Sequence, residues 1–300
     1  MKYLFMTISI IISVANACLL RGYSAKNKEK AYDPFLFNAG ISMLWIFIMT
    51  AMFLSGGNRF VPVAVIYGAI YGVILCAFLF FKSGCMAEGP VSLSTLIGSC
   101  AFVIATWFGV FYNDESVSSF QICGMILLLA SLVLCVNPKK SGEKLTVKWF
   151  LYCLGFFFAG GFVGIIYKLF GASSAKTEYD TMILTASLVS AILFLIVGII
   201  KAKAQAGVNI KPNKRTILYM VLCGMASCIY IRMNLTLSNM IPSAIFFPVS
   251  NGGMVILSTI GGKLFFKEKL NKIQIWGIAL GCVAVAITGC GDFVYSLIQR

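Results

Sequence analysis

Ten apolar stretches of about 20 residues follow one another along this chain of 300 residues, each long enough to cross a hydrocarbon core of about 30 Å as a helix. They run from Lys2 to Leu20, Pro34 to Leu54, Val61 to Phe81, Val91 to Tyr112, Ser119 to Val136, Trp149 to Phe170, Thr181 to Ile200, Thr216 to Leu237, Pro242 to Phe266 and Ile273 to Gly289. The links are short, and the longest, Asn137 to Lys148 and Lys201 to Arg215, are polar, basic and rich in turn formers. A soluble domain of this length has too little interior for a chain that is 60% hydrophobic, 11% charged and has a mean hydropathy of +0.93. The pattern predicts an all-α integral membrane protein and excludes a cytosolic enzyme, a secreted domain and a disordered chain.

Histidine is absent, which removes His-based zinc sites, Ser/His and Cys/His catalysis and imidazole proton relays. Nine of the eleven cysteines fall inside apolar runs without C-x-x-C spacing and read as small buried residues with reduced thiols. Neither metal nor cofactor is expected. Without paired intramembrane carboxylates or a nucleophile beside a base, no enzyme is expected either. The first stretch has the basic start, apolar run and Ala-Asn-Ala before Cys18 of a secretory or lipoprotein signal. It is read instead as a span, because Ala15 stands where the lipoprotein pattern wants a larger aliphatic residue and because the segment has a counterpart later in the chain.

That counterpart belongs to an internal repeat. A shift of 153 positions lays Glu115, Gln121, Ile122 and Gly124 on Glu268, Gln274, Ile275 and Gly277, with Thr106 on Thr259 and Gly109 on Gly262. A shift of 147 pairs Arg21 with Lys168, and Tyr32 and Asp33 with Tyr179 and Asp180. The chain divides into two halves, Met1 to Lys140 and Ser141 to Arg300. Five spans per half is an odd number, so the second half must enter the membrane upside down. Inverted repeats of this kind are the architecture of many secondary transporters, with a substrate site near the midplane and alternating access about it.

The run from Phe246 through Ser250, Asn251, Gly252, Gly253, Gly262 and Lys263 to Glu268, followed by Gln274 and Gly277, resembles the hallmark of the drug/metabolite transporter superfamily. The ten-span, twice-repeated form is similar to its EamA-type branch, and the resemblance covers nearly the whole chain. It implies ten helices in two inverted halves and a cavity lined by spans one, three, four, six, eight and nine. Within that pattern Glu115 and Glu268 are read as caps on the following helix, and Gly124 and Gly277 as points of close helix packing. The related small multidrug resistance proteins carry a membrane-embedded Glu two turns before a Lys. Here Ser13 stands eight residues before Arg21 and Gly160 eight before Lys168, so both halves lack that carboxylate. Glu88 is the only acid read beside any other span, which disfavours proton-coupled efflux of quaternary cations by that route.

The candidate substrate contacts are polar groups inside spans. Arg232 lies within the eighth stretch, where a charge costs on the order of 2.5 to 3.5 kcal/mol at the bilayer centre. It either forks a carboxylate or phosphate in a cavity or snorkels to the interface. Ser250 and Asn251 occupy midspan of the ninth stretch, where the small multidrug proteins place a substrate-contacting Trp; Asn251 either faces the cavity or bonds another helix. Asn16, Tyr71, Trp107, Tyr230 and Asn234 are weaker candidates, since a Tyr or Trp in a span is more often packing or interfacial. Arg21 and Lys168, at matched helix ends, are read as snorkelling.

The loops after spans one, three, five, seven and nine hold about 18 Lys and Arg against 6 on the other side, so the charge rule places both termini outside. The expectation is therefore a multi-pass secondary transporter of a bacterial inner (plasma) membrane, moving a small polar metabolite, amino-acid-like or otherwise anionic. Its partners are that small molecule and the lipid bilayer; no nucleic acid is expected, and a monomer encloses enough helices to suffice. The alternatives are a multidrug or quaternary-cation exporter, and a membrane scaffold or sensor that keeps the fold without transport.

Overall fold

A computed structural model describes residues 2–26, 33–55, 60–88, 98, 100–113, 117–135, 146–204, 211–266 and 272–298. All regular structure among them is helical. The helices are α1 (Lys2–Lys26), α2 (Pro34–Ser55), α3 (Pro62–Glu88), α4 (Phe102–Asn113), α5 (Ser119–Cys135), α6 (Val147–Ala172), α7 (Tyr179–Ala204), α8 (Lys214–Met240), α9 (Ser243–Phe266) and α10 (Lys272–Ile298). Each falls on one of the ten apolar stretches. Among the described residues, α1, α2, α3, α6, α7 and α8 are long and apolar enough to cross a membrane, while the other four carry shorter apolar windows. The opening of the expected fourth span, residues 91–97 and 99, lies outside the described residues.

The helix starts follow from local chemistry. Asp33 precedes Pro34 and accepts the amides of Phe35 (2.8 Å) and Leu36 (3.3 Å) on Oδ1, while Pro34 opens α2 where a missing N–H costs nothing. Ser118 and Gln121 form a capping box at α5: the Gln121 amide donates to Ser118 Oγ (3.2 Å) and the Ser118 amide to Gln121 Oε1 (3.1 Å). Thr146 and Asn213 cap α6 and α8 through the amides of Trp149 (3.1 Å) and Thr216 (2.7 Å).

Two compact units emerge, and each draws on both halves of the sequence. One comprises Met1–Ile11, Ala77–Lys168 and Leu237–Arg300; the other comprises Ile12–Cys76 and Leu169–Thr236. In the second unit α2 lies along α7. Asp33 meets Lys201 (2.9 Å), Leu36 fills the space over Gly198, and the Ser190 hydroxyl donates to Ser42 Oγ (3.0 Å). Residue numbers rise on one helix as they fall on the other, so the two run antiparallel. Trp45 of α2 also donates its indole N–H to the Gly224 carbonyl (3.0 Å) and Ser227 Oγ (3.1 Å) of α8, which satisfies a polar group that would otherwise be stranded. Along α3, Gly68 and Gly72 sit one turn apart over α7, where an added Cβ would come 2.5 and 2.8 Å from the carbonyl oxygens of Met182 and Ala186.

In the first unit α5 lies along α10, again antiparallel: Gly124 faces Ala284 and Thr288, while Ser131 Oγ donates to the Gly277 carbonyl (2.7 Å). Helix α4 packs on α9, with Thr106 Oγ1 donating to the Ser243 carbonyl (3.5 Å). Trp149, Cys153 and Phe156 of α6 form a core with Phe78 and Phe81 of α3.

Apolar side chains fill the core, and large ones also cover the outside, while small hydroxyls are kept within. Phe47, Leu54, Phe111 and Trp276 are each more than 70% exposed, whereas Ser42, Thr106, Ser131, Ser187, Ser190 and Thr288 are 2% exposed or less. Water would penalise the first group, and hydrocarbon would penalise outward placement of the second.

Candidate functional site

The only guanidinium–carboxylate pair among the described residues joins α7 to α8. Asp180 stands in the first turn of α7 and Arg232 two turns before the end of α8. Arg232 donates Nε–H to Asp180 Oδ1 at 2.7 Å and Nη2–H to Oδ2 at 3.1 Å. Both carboxylate oxygens are thus held by one planar donor edge. The Asp180 side chain is 8% exposed and that of Arg232 37%. This corrects the expectation that Glu88 is the only acid beside a span, because Asp180 is a buried carboxylate of α7. Its negative charge is met by Arg232, so it is no open handle for a cation.

Asp180 also has a counterpart. The repeat equates it with Asp33, which caps α2 and binds Lys201 through Oδ2 (2.9 Å) at the last turn of α7. Under the same shift the counterpart of Lys201 is Leu54, which carries no charge. Asp180 takes Arg232 from α8, and Leu54 cannot supply the charge that Lys201 brings to Asp33, so the repeat departs from symmetry at this ion pair.

The other candidates on α8 do not gather round Arg232. Tyr230 and Asn234 share one face, about 200° round the helix from Arg232, since each lies two residues away. Arg232 shares its own side with Cys228 and with Thr236, whose hydroxyl donates to the Arg232 carbonyl (3.0 Å). In the same unit Tyr71 is 1% exposed, a packed side chain of α3, and Asn16 on α1 keeps a buried Oδ1 with no hydrogen-bond partner. The Glu178 Oε2, just ahead of α7, is likewise buried without one.

The remaining candidates belong to the first unit. Asn251 turns back on its own helix, donating Nδ2–H to the Phe247 carbonyl (2.9 Å), a local bond rather than the interhelical one expected as one of its two roles. Its neighbour Ser250 leaves a buried Oγ with no hydrogen-bond partner, and Pro248 lies two residues before it inside α9. Trp107 is 42% exposed and stacks on Phe111 (5.7 Å), the place of an outward-facing aromatic. Lys168, expected to snorkel, is 4% exposed and donates to the Ile241 carbonyl (3.3 Å) just past α8, where a helix C-terminus favours positive charge. The Arg21 side chain, Glu115 and Glu268 lie outside the described residues. Gly124 and Gly277 both lie at the α5–α10 contact. Among the described residues no group of three or more Cys, Asp and Glu gathers to hold a metal ion.

No family model and no curated protein matches the sequence. The fold is similar to a solved structure described only as "Crystal structure of protein", with 16% identity, a TM-score of 0.75 and coverage of 95% of each chain. That likeness carries the fold alone.

Proposed function

We propose that this chain is a multi-pass membrane transporter of the drug/metabolite type, which moves a small polar, amino-acid-like or otherwise anionic metabolite by alternating access of two inverted repeats. The observation that carries the reading is the pairing of repeat counterparts. Helices α2 and α7 hold matching places in their halves and run antiparallel, and so do α5 and α10. A two-fold axis lying in a membrane plane demands that relation, whereas duplicated halves with the same orientation would put counterparts parallel. Along α2 the contact even centres on the repeat itself: Ser42 meets Ser190, and Ser190 is the counterpart of Met43. The large apolar side chains on the outside, with serine and threonine hydroxyls kept within, support a bilayer as the surroundings.

Arg232 is the substrate contact best supported, because a charge in a span is retained for a partner or a pathway. The expected result is counterflow of an anionic or zwitterionic metabolite by proteoliposomes that contain the purified chain, above liposomes without protein. Folded protein that moves no metabolite in either direction would sink the transport reading and favour a scaffold or sensor.

A further inference from the structure

The two edges of the Arg232 guanidinium are in different situations. A guanidinium has five N–H donors arranged as a side edge, Nε with Nη2, and an end edge, Nη1 with Nη2. Asp180 occupies the side edge, and the guanidinium makes no other hydrogen bond among the described residues. The end edge therefore keeps a pair of parallel donors on a side chain 37% exposed, while the carboxylate that orients it is almost closed off. Two oxygens of a second carboxylate match that pair of donors in one plane.

We propose that the end edge of Arg232 is a carboxylate-binding element and that Asp180 is its positioning residue. The proposal rests on the transport reading and deepens it by naming the chemical group recognised. Asp180 serves two ends. It fixes the plane of a side chain that would otherwise sample many rotamers, and it compensates the guanidinium when no ligand is bound, which an isolated charge in a span requires. It also favours monoanions: a phosphate dianion would bring a second negative charge towards the Asp180 carboxylate, whereas a carboxylate brings one. The break in repeat symmetry is an independent pointer. Asp33, the counterpart, is engaged by two backbone amides and a lysine at a helix end, a purely structural set. Asp180 holds an arginine from within a span.

The test is thermal unfolding of the purified full chain in detergent against the common α-amino acids, acetate, lactate and pyruvate, each beside its own carboxamide. At least one carboxylate is expected to raise the Tm while its carboxamide does not. Arg232→Lys keeps a cation for Asp180 but has no planar edge, and should weaken that carboxylate by about tenfold or more. Asp180→Glu should preserve the preference for carboxylate over carboxamide, and Asp180→Asn should erode it, a readout that a role in stability alone would not move. Equal stabilisation by acid and amide, undiminished binding by Arg232→Lys, or silence of every carboxylate on protein with an intact unfolding transition would each overturn the proposal. Counterflow of the stabilising compound in proteoliposomes is scored separately. Binding without movement leaves the carboxylate element standing and removes transport, while movement only of compounds that lack a carboxylate does the reverse.

Discussion

At Asp180 both carboxylate oxygens are held by one guanidinium and the side chain is 8% exposed, so the stability of the two residues is coupled. Arg232→Leu should cost about 3 kcal/mol, because it takes two hydrogen bonds and a neighbouring positive charge from a buried carboxylate. The double variant Asp180→Leu/Arg232→Leu removes both charges and should recover most of that loss, as read by thermal unfolding of the three proteins beside wild type. A double variant no more stable than Arg232→Leu would mean the two side chains contribute separately. Arg232 is legible from sequence because a charge interrupts an apolar run. Asp180 is not, since it falls one residue ahead of the run that begins at Thr181 and reads as loop. Its signal is the repeated Tyr-Asp of residues 32–33 and 179–180, which marks the position without revealing the partner on another helix. Asn251 shows the opposite limit: the side chain is identifiable as polar and midspan, but a bond to its own i−4 carbonyl depends on a rotamer.

Helices are the best-determined level here, because each apolar stretch is long, bounded by turn formers and free to form all its backbone hydrogen bonds internally. Their pairings depend on small residues that composition alone does not rank. Gly124 is matched by Gly277 in the repeat, and both lie where α5 crosses α10. A Cβ at Gly124 would collide with Thr288 Oγ1 and come 3.0 Å from the Thr288 amide nitrogen and 3.1 Å from the Ala284 carbonyl oxygen. Because two of these neighbours are backbone, trimming the side chain cannot relieve them. Gly124→Val should therefore destabilise by about 1 to 3 kcal/mol, and adding Thr288→Ala should restore only part of it, measured by thermal unfolding in detergent. Full restoration would show that the hydroxyl alone sets the spacing. The start of α5 carries its own readable signal, Ser118 three residues before Gln121 ahead of an apolar run, and the structure joins them as a capping box.

For the molecule as a whole, the proposed inverted repeat makes one demand that the antiparallel pairing of counterpart helices supports: matched loops lie on opposite sides of the membrane. Asn27, between α1 and α2, and Ser174, between α6 and α7, are counterparts under the 147-residue shift. In intact cells a membrane-impermeant maleimide should label only one of Asn27→Cys and Ser174→Cys above the background of native thiols. Labelling of both, or of neither until the cells are opened, would exclude inversion whichever way up the protein sits. The identity of the labelled residue carries further information. With about 18 basic residues on one set of loops against 6 on the other, the charge rule puts the α6–α7 turn outside together with both termini, so Ser174→Cys is the variant expected to react. Reaction at Asn27→Cys alone would keep the inverted repeat and reverse the orientation. Lys168 bears on the strength of that rule: it counts towards the basic total of its side, yet it is buried against the Ile241 carbonyl, so its position is set by packing as well as by the membrane potential.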